Sequence, residues 1–184
     1  MKRWATLALL LLGCGGPTNL ERQADGDLAD GRVYAAVAAY QRMAERSPDG
    51  RVLAKLGSAA LRGGKLGIAV DAFARLGRED PSRRAEAADG LDAAARAADR
   101  LGDTLALRLA VIALADVAPN RPAGRYVLAL EKRNVLTPGE RALLAPSALA
   151  AAPDAETSDS LLMRYARDRV AAGDCELAAG LFRA

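Results

Sequence analysis

Few side chains in this sequence are equipped for chemistry, and their spacing narrows the field further. Histidine is absent, which removes the commonest general base and metal ligand, and with it a Ser-His or Cys-His nucleophile and a His-ligated zinc site. Gly63-Gly64-Lys65 has the composition of a phosphate loop, yet Ala59 stands where the first glycine is required and Leu66 follows the lysine where Ser or Thr should be. The segment reads instead as a hairpin turn. Asp89, Asp92 and Asp99 share one stretch with Arg96 and Arg100, and intervals of three and seven put the carboxylates on a common helical face. Paired acids are conceivable there, but a solvated face with i, i+4 charge pairs is the expectation. Of the two cysteines, Cys14 and Cys175, the second falls where other parts of the chain place Val33 and Leu66, so a small buried apolar role is expected of it. No catalytic set, metal site, cofactor or small-molecule substrate is expected.

The elements around these residues are helical. The 184-residue chain is 51% hydrophobic but only 4% aromatic, with alanine and leucine supplying most of the apolar content. Both are strong helix formers, and segments rich in β-branched or aromatic residues are few, which points to an all-α chain. Its first residues read as an address. Met1-Lys2-Arg3 is a basic start, and 5–12 is an apolar run too short to span a bilayer as a mature helix. The run closes in Leu11-Leu12-Gly13-Cys14, which resembles the bacterial lipobox. That resemblance implies a signal peptide over 1–13, lipidation of Cys14, and a lipidated cysteine plus short tether over 14–18. Glycine rather than aspartate at position 15 implies the periplasmic face of the outer membrane. The tether 15–18 reaches on the order of 14 Å when extended, which would hold the folded part close to the bilayer. Lys2 and Arg3 account for two of the three net positive charges, leaving roughly +1 afterwards, so the charge gives no signal for nucleic acid.

Residues 19–184 carry a repeat. Gly31 precedes Pro48 by seventeen residues, Gly64 precedes Pro81 by seventeen, and Gly102 precedes Pro119 by seventeen. Between the markers, Val33, Ala36, Val37, Tyr40 and Met43 correspond to Leu66, Ala69, Val70, Phe73 and Leu76, at the i, i+3, i+4, i+7, i+10 spacing of one helical face. The glycine is expected to end one helix in the left-handed conformation and the proline to end the next. Preceding helices over 51–62, 84–101 and 159–172 complete the hairpins. Behind Gly102 the pattern weakens, because Arg108 falls where Val37 and Val70 stand and the helix is apolar on nearly every side. One helix is expected over 123–133. Thr137-Pro138-Gly139-Glu140 then reads as the capped start of another, which Pro146 should break or kink. Cys175, Ala178, Ala179 and Phe182 resume the pattern behind Gly173.

With Leu53, Leu56-Gly57, Gly64, Ala69, Phe73 and Pro81, the second unit resembles a tetratricopeptide repeat. The resemblance implies a right-handed α-solenoid of about five helix-turn-helix hairpins, the last incomplete. Gly57 and Ala69 would be small where paired helices touch, and Phe73 large to fill the groove toward the next repeat. It also implies a concave face lined by the first helix of each hairpin. On this chain, the outward positions of those helices include Arg51, Ser58, Asp89, Asp92, Arg96, Asp99 and Arg167, a mixture of signs unlike the basic, asparagine-rich clamp of some family members. The expected function is a non-enzymatic, membrane-anchored scaffold whose partners are other cell-envelope proteins. Counting seventeen from Gly173 passes Ala184 and no polar capping element follows, so the sequence is expected to be a piece of a longer protein. The alternative is therefore the α-superhelical region of an envelope enzyme such as a lytic transglycosylase, with its catalytic residues elsewhere.

Overall fold

A computed structural model of the protein describes residues 19–181; the leader, Cys14, the tether and Phe182 lie outside the described residues. Ten α-helices follow one another: α1 (Asn19–Ala29), α2 (Val33–Arg46), α3 (Gly50–Arg62), α4 (Leu66–Glu79), α5 (Arg84–Leu101), α6 (Thr104–Val117), α7 (Gly124–Lys132), α8 (Pro138–Ala150), α9 (Ala155–Ala171) and α10 (Cys175–Leu181). A single 3-10 turn, Pro81–Arg83, leads into α5, and no strand occurs among the described residues. Each helix packs on its neighbours in sequence, and α3 on α5, α4 on α6 and α6 on α8 add contacts one step further on. No described helix is long and apolar enough to cross a membrane.

The turns inside the pairs share one backbone solution. Gly31, Gly64, Gly102 and Gly173 have φ between +67° and +84°, the left-handed region open to glycine at no steric cost. After α3, Lys65 N donates to Ala60 O at 2.8 Å and Gly64 N to Leu61 O at 3.1 Å, which satisfies carbonyls that the helix end leaves open. The same pair of bonds recurs around the other three glycines. The α7–α8 turn does it with Asn134, at φ 51°. The second helices end at Arg46, Glu79 and Val117, each two residues before its proline, since the residue preceding proline is forced out of helical conformation.

One core runs from Ala24 to Tyr165. Tyr40, Leu53, Leu76, Leu91, Leu107, Leu114 and Leu130 are fully buried, interleaved with alanines such as Ala36, Ala69, Ala94 and Ala110 that let the helix axes approach. Phe73 is wedged between two glycines. A Cβ on Gly57 of α3 would lie 2.7 Å from its ring, and one on Gly90 of α5 would lie 2.5 Å away. Gly77 is similarly close to Val117, at 2.6 Å. Tyr40 and Phe73, aligned by the repeat, are both buried.

Several expectations are corrected. Pro146 does not break α8, which runs through it to Ala150. The expected helix 159–172 starts earlier, at Ala155, because Asp154 caps it by accepting from Thr157 N at 2.7 Å. Cys175 is exposed rather than buried. Val33, at the matching position, lies close enough to the α3–α4 turn that a Cβ on Gly63 would meet it at 3.0 Å; among the described residues α10 packs on α9, and no such turn covers Cys175. The register behind Gly102 holds, with Leu107, Val111 and Leu114 fully buried, yet Leu105 and Leu109 remain exposed. Arg108 avoids the core by reaching sideways to α8, where its guanidinium pairs with Glu140 at 2.7 Å.

Candidate partner-binding face

Polar side chains tie three pairs of odd-numbered helices, each helix the first of its pair: α1 to α3, α5 to α7 and α7 to α9; α3 meets α5 through the Phe73 wedge instead. Arg51 and Lys55 on α3 pair with Glu21 on α1 at 3.1 and 2.9 Å, and Lys55 also holds Asp25 at 2.7 Å. On α5, Asp89 pairs with Arg121, just ahead of α7. Tyr126 on α7 donates its hydroxyl to Asp92 at 3.3 Å, and Arg133, just past α7, pairs with Asp99 at 3.6 Å. Glu131 on α7 meets Arg164 at 3.0 Å and accepts from the Tyr165 hydroxyl at 3.3 Å, both on α9. Acid on one first helix and base or phenol 30 to 34 residues later is the recurring rule.

Burial gives this ladder its leverage. Glu21 is 1% exposed and Glu131 6%, and a carboxylate that deep is tolerable only when charge and hydrogen bonds compensate it. At Asp25, burial alone would raise the carboxyl. The hydrogen bonds from Lys55 and Tyr40 and the charges of Lys55 and Arg51 outweigh it and hold the group below the usual carboxylate range. Burial would likewise lower the Lys55 ammonium, and the bonds to Asp25 and Glu21 raise it instead. Burial and the neighbouring Asp25 carboxylate push the Tyr40 phenol well up, and burial with Glu131 does the same to Tyr165. The even-numbered helices take part in further pairs: Arg108 on α6 holds Glu140 on α8 at 2.7 Å, and Arg141 on α8 grips Asp168 on α9 at 2.6 and 3.0 Å. At Glu140, burial would raise the carboxyl, but Arg108 and the Thr137 capping bonds lower it. The capping box expected at Thr137 is present, with Glu140 accepting from Thr137 N at 2.8 Å.

The positions inferred from the family resemblance divide under this geometry. Arg51, Asp89, Asp92 and Asp99 are rungs, and Asp92 also carries the i, i+4 pair with Arg96, at 3.0 Å. Asp89 and Asp99 are exposed and the expected i, i+4 pair is present at Asp92; in addition, arginines flanking α7 and the Tyr126 phenol engage all three aspartates. Ser58 and Arg167 are exposed and make no hydrogen bond or ion pair among the described residues. Glu21, Lys55, Tyr126, Glu131, Arg164 and Tyr165 were missed by within-helix spacing, although the recurring 34-residue step from acid to base carries the signal. Between α7 and α9 the ladder borders a groove of about 310 Å³ lined by Leu128, Glu131, Lys132, Asp154, Glu156 and Arg164. Chemically, the face is a set of neutralised pairs with hydrogen-bonding groups at its margins. No three acidic or thiol groups converge as a metal site among the described residues. No protein-family model, curated protein or solved structure matches the chain.

Proposed function

We propose that this chain is a tetratricopeptide-like, right-handed α-solenoid lipoprotein that serves as a protein-binding scaffold in the bacterial cell envelope, anchored through lipid on Cys14 at the periplasmic face of the outer membrane. The observation that carries the reading is the ladder itself. Three of the four successive pairs of first helices, α1–α3, α5–α7 and α7–α9, connect at a step of 30 to 34 residues, which is what stacked hairpins require when each unit touches only its neighbours. The left-handed turns, the alanine core and the Phe73 wedge between successive first helices support the same arrangement. Because the rungs neutralise one another, the face offers a partner little net charge. Recognition then rests on shape and on the placement of Ser58, Arg96 and Arg167, a mode that favours specificity over strong steering.

The test uses a photo-crosslinking side chain at Ser58 or Arg167 in cells, compared with one at Arg42, exposed on α2. Capture of the same envelope proteins from the first two positions and not from Arg42 is the expected result. Equal capture from all three would sink the proposed face. Separately, Cys14→Ser should move the protein from the membrane to the soluble fraction; retention on membranes would overturn the lipid anchor.

A further inference from the structure

The helix nearest the proposed anchor is held differently from α3 and α5, the first helices of the next two pairs. Only two residues of α1 are buried, Glu21 and Ala24, whereas α3 and α5 bury seven each. Its apolar grip is thus one alanine plus the half-buried Leu20 and Leu28. What remains is charge: α1 contributes Glu21 and Asp25, α3 contributes Arg51 and Lys55, and Tyr40 on α2 donates to Asp25. With Gly26, Asp25 and Asp27 in its middle, α1 also has poor intrinsic helicity. It packs along α2, and with so little apolar surface buried there such a helix has little reason to persist once its charged ties to α3 are lost.

We propose that α1 is a latch held by charge, which releases from α2 and α3 without unfolding the helices behind it and so turns a short tether into a long one. Two features make release local. Arg51, Lys55 and Asp25 are 39%, 32% and 43% exposed at their side chains, so salt reaches the pairs. Glu21, deep in the cluster, becomes untenable if its partners weaken, and undocking hydrates it. With α1 docked, residues 15–18 give on the order of 14 Å of reach; with α1 released, the chain from Cys14 to Val33 extends to roughly 60 Å. The change in reach rests on the proposed anchor; the latch does not.

The two are separated by reading amide hydrogen exchange on the full chain at neutral pH, with and without Cys14→Ser. In about 0.5 M salt, where screening acts within a few ångströms, α1 amides are expected to exchange about tenfold faster while those of α5 and α6 hold their rates. Lys55→Gln should reproduce this at low salt, and the double change Glu21→Met with Lys55→Met should restore protection and abolish the salt response. Exchange of α1 in step with α5 and α6 would overturn the latch, as would an unprotected double variant. Membrane release of Cys14→Ser reports on the anchor alone.

Discussion

Replacing one α-hydrogen of Gly90 with a methyl group would set a carbon 2.5 Å from three atoms of the Phe73 ring. Carbon atoms in proteins sit about 3.5–4.0 Å apart at their optimum, so ring or helix must give by about 1 Å. The tip of the ring lies against Gly57, where an added Cβ would stand 2.7 Å from Cζ, so the ring has little room to slide toward α3. With the ring held at both glycines, the cost of overpacking belongs at the upper end of its usual span, about 3 kcal/mol. Alanine is the better helix former by about 1 kcal/mol, which leaves Gly90→Ala about 2 kcal/mol less stable and lowers Tm by about 4–8 °C for a domain of this size. Gly67 gives the matched control: it is exposed on α4 and nothing lies within 4 Å of its added Cβ. Gly67→Ala should therefore raise stability by up to about 1 kcal/mol. Thermal and urea unfolding followed by far-ultraviolet circular dichroism would measure both. Adding Phe73→Leu should rescue part of the Gly90→Ala loss, with a coupling of at least about 1 kcal/mol. If Gly90→Ala matched the parent in stability, or if its loss added simply to that of Phe73→Leu, the wedge between α3 and α5 would not be what sets their approach.

Two further consequences concern buried phenols and a helical proline. Burial and the adjacent Asp25 and Glu131 carboxylates raise the Tyr40 and Tyr165 phenols above their ordinary value, so their contribution is whole below about pH 10 and lost as pH rises through the folded values. Tm should fall above that point, and less steeply in a Tyr40→Phe, Tyr165→Phe double variant; identical slopes would clear the phenols of responsibility. Pro146, inside α8, leaves the Ala142 carbonyl without its helical donor, and Pro146→Ala should raise stability by about 1–3 kcal/mol in the same unfolding assay. A lowered Tm would refute that.

The parts of the fold legible in the sequence are those with a local backbone cause. A left-handed glycine and a helix-stopping proline act through their own φ angles and hydrogen bonds, so the seventeen-residue interval located three hairpins, and 84–101 matches α5 at both ends. Asn134 escaped notice for the same reason: it makes the identical turn, but as a residue that only tolerates the left-handed region. What depends on neighbours was harder to read. Val33, the first position of its helix, is half-buried beside the α3–α4 turn, whereas Cys175 at the matching position is exposed, a difference set by neighbours and not by the helix's own pattern. The ladder was invisible to i, i+4 counting because its partners lie on different helices, aligned only once the hairpins are set side by side. Arg108 illustrates both limits, since it breaks the apolar pattern of its own helix to satisfy Glu140 on another.

The ladder also constrains how such a face can recognise anything. Asp92 is bonded to both Arg96 and Tyr126, and Glu131 to both Arg164 and Tyr165, so a partner that takes one of these groups leaves another polar atom unmatched. That loss is largest where burial is deepest, at Glu21 and Glu131. A partner gains most by touching the face where no internal bond must break, at Ser58 and Arg167, and by bridging half-exposed pairs such as Asp99 with Arg133. The same rungs link α1 to α3, α5 to α7 and α7 to α9, while the Phe73 wedge sets the approach of α3 and α5. On the scaffold reading, a partner that did engage the rungs would alter the spacing of the helices they link, and with it the curvature presented by hairpins it never touches.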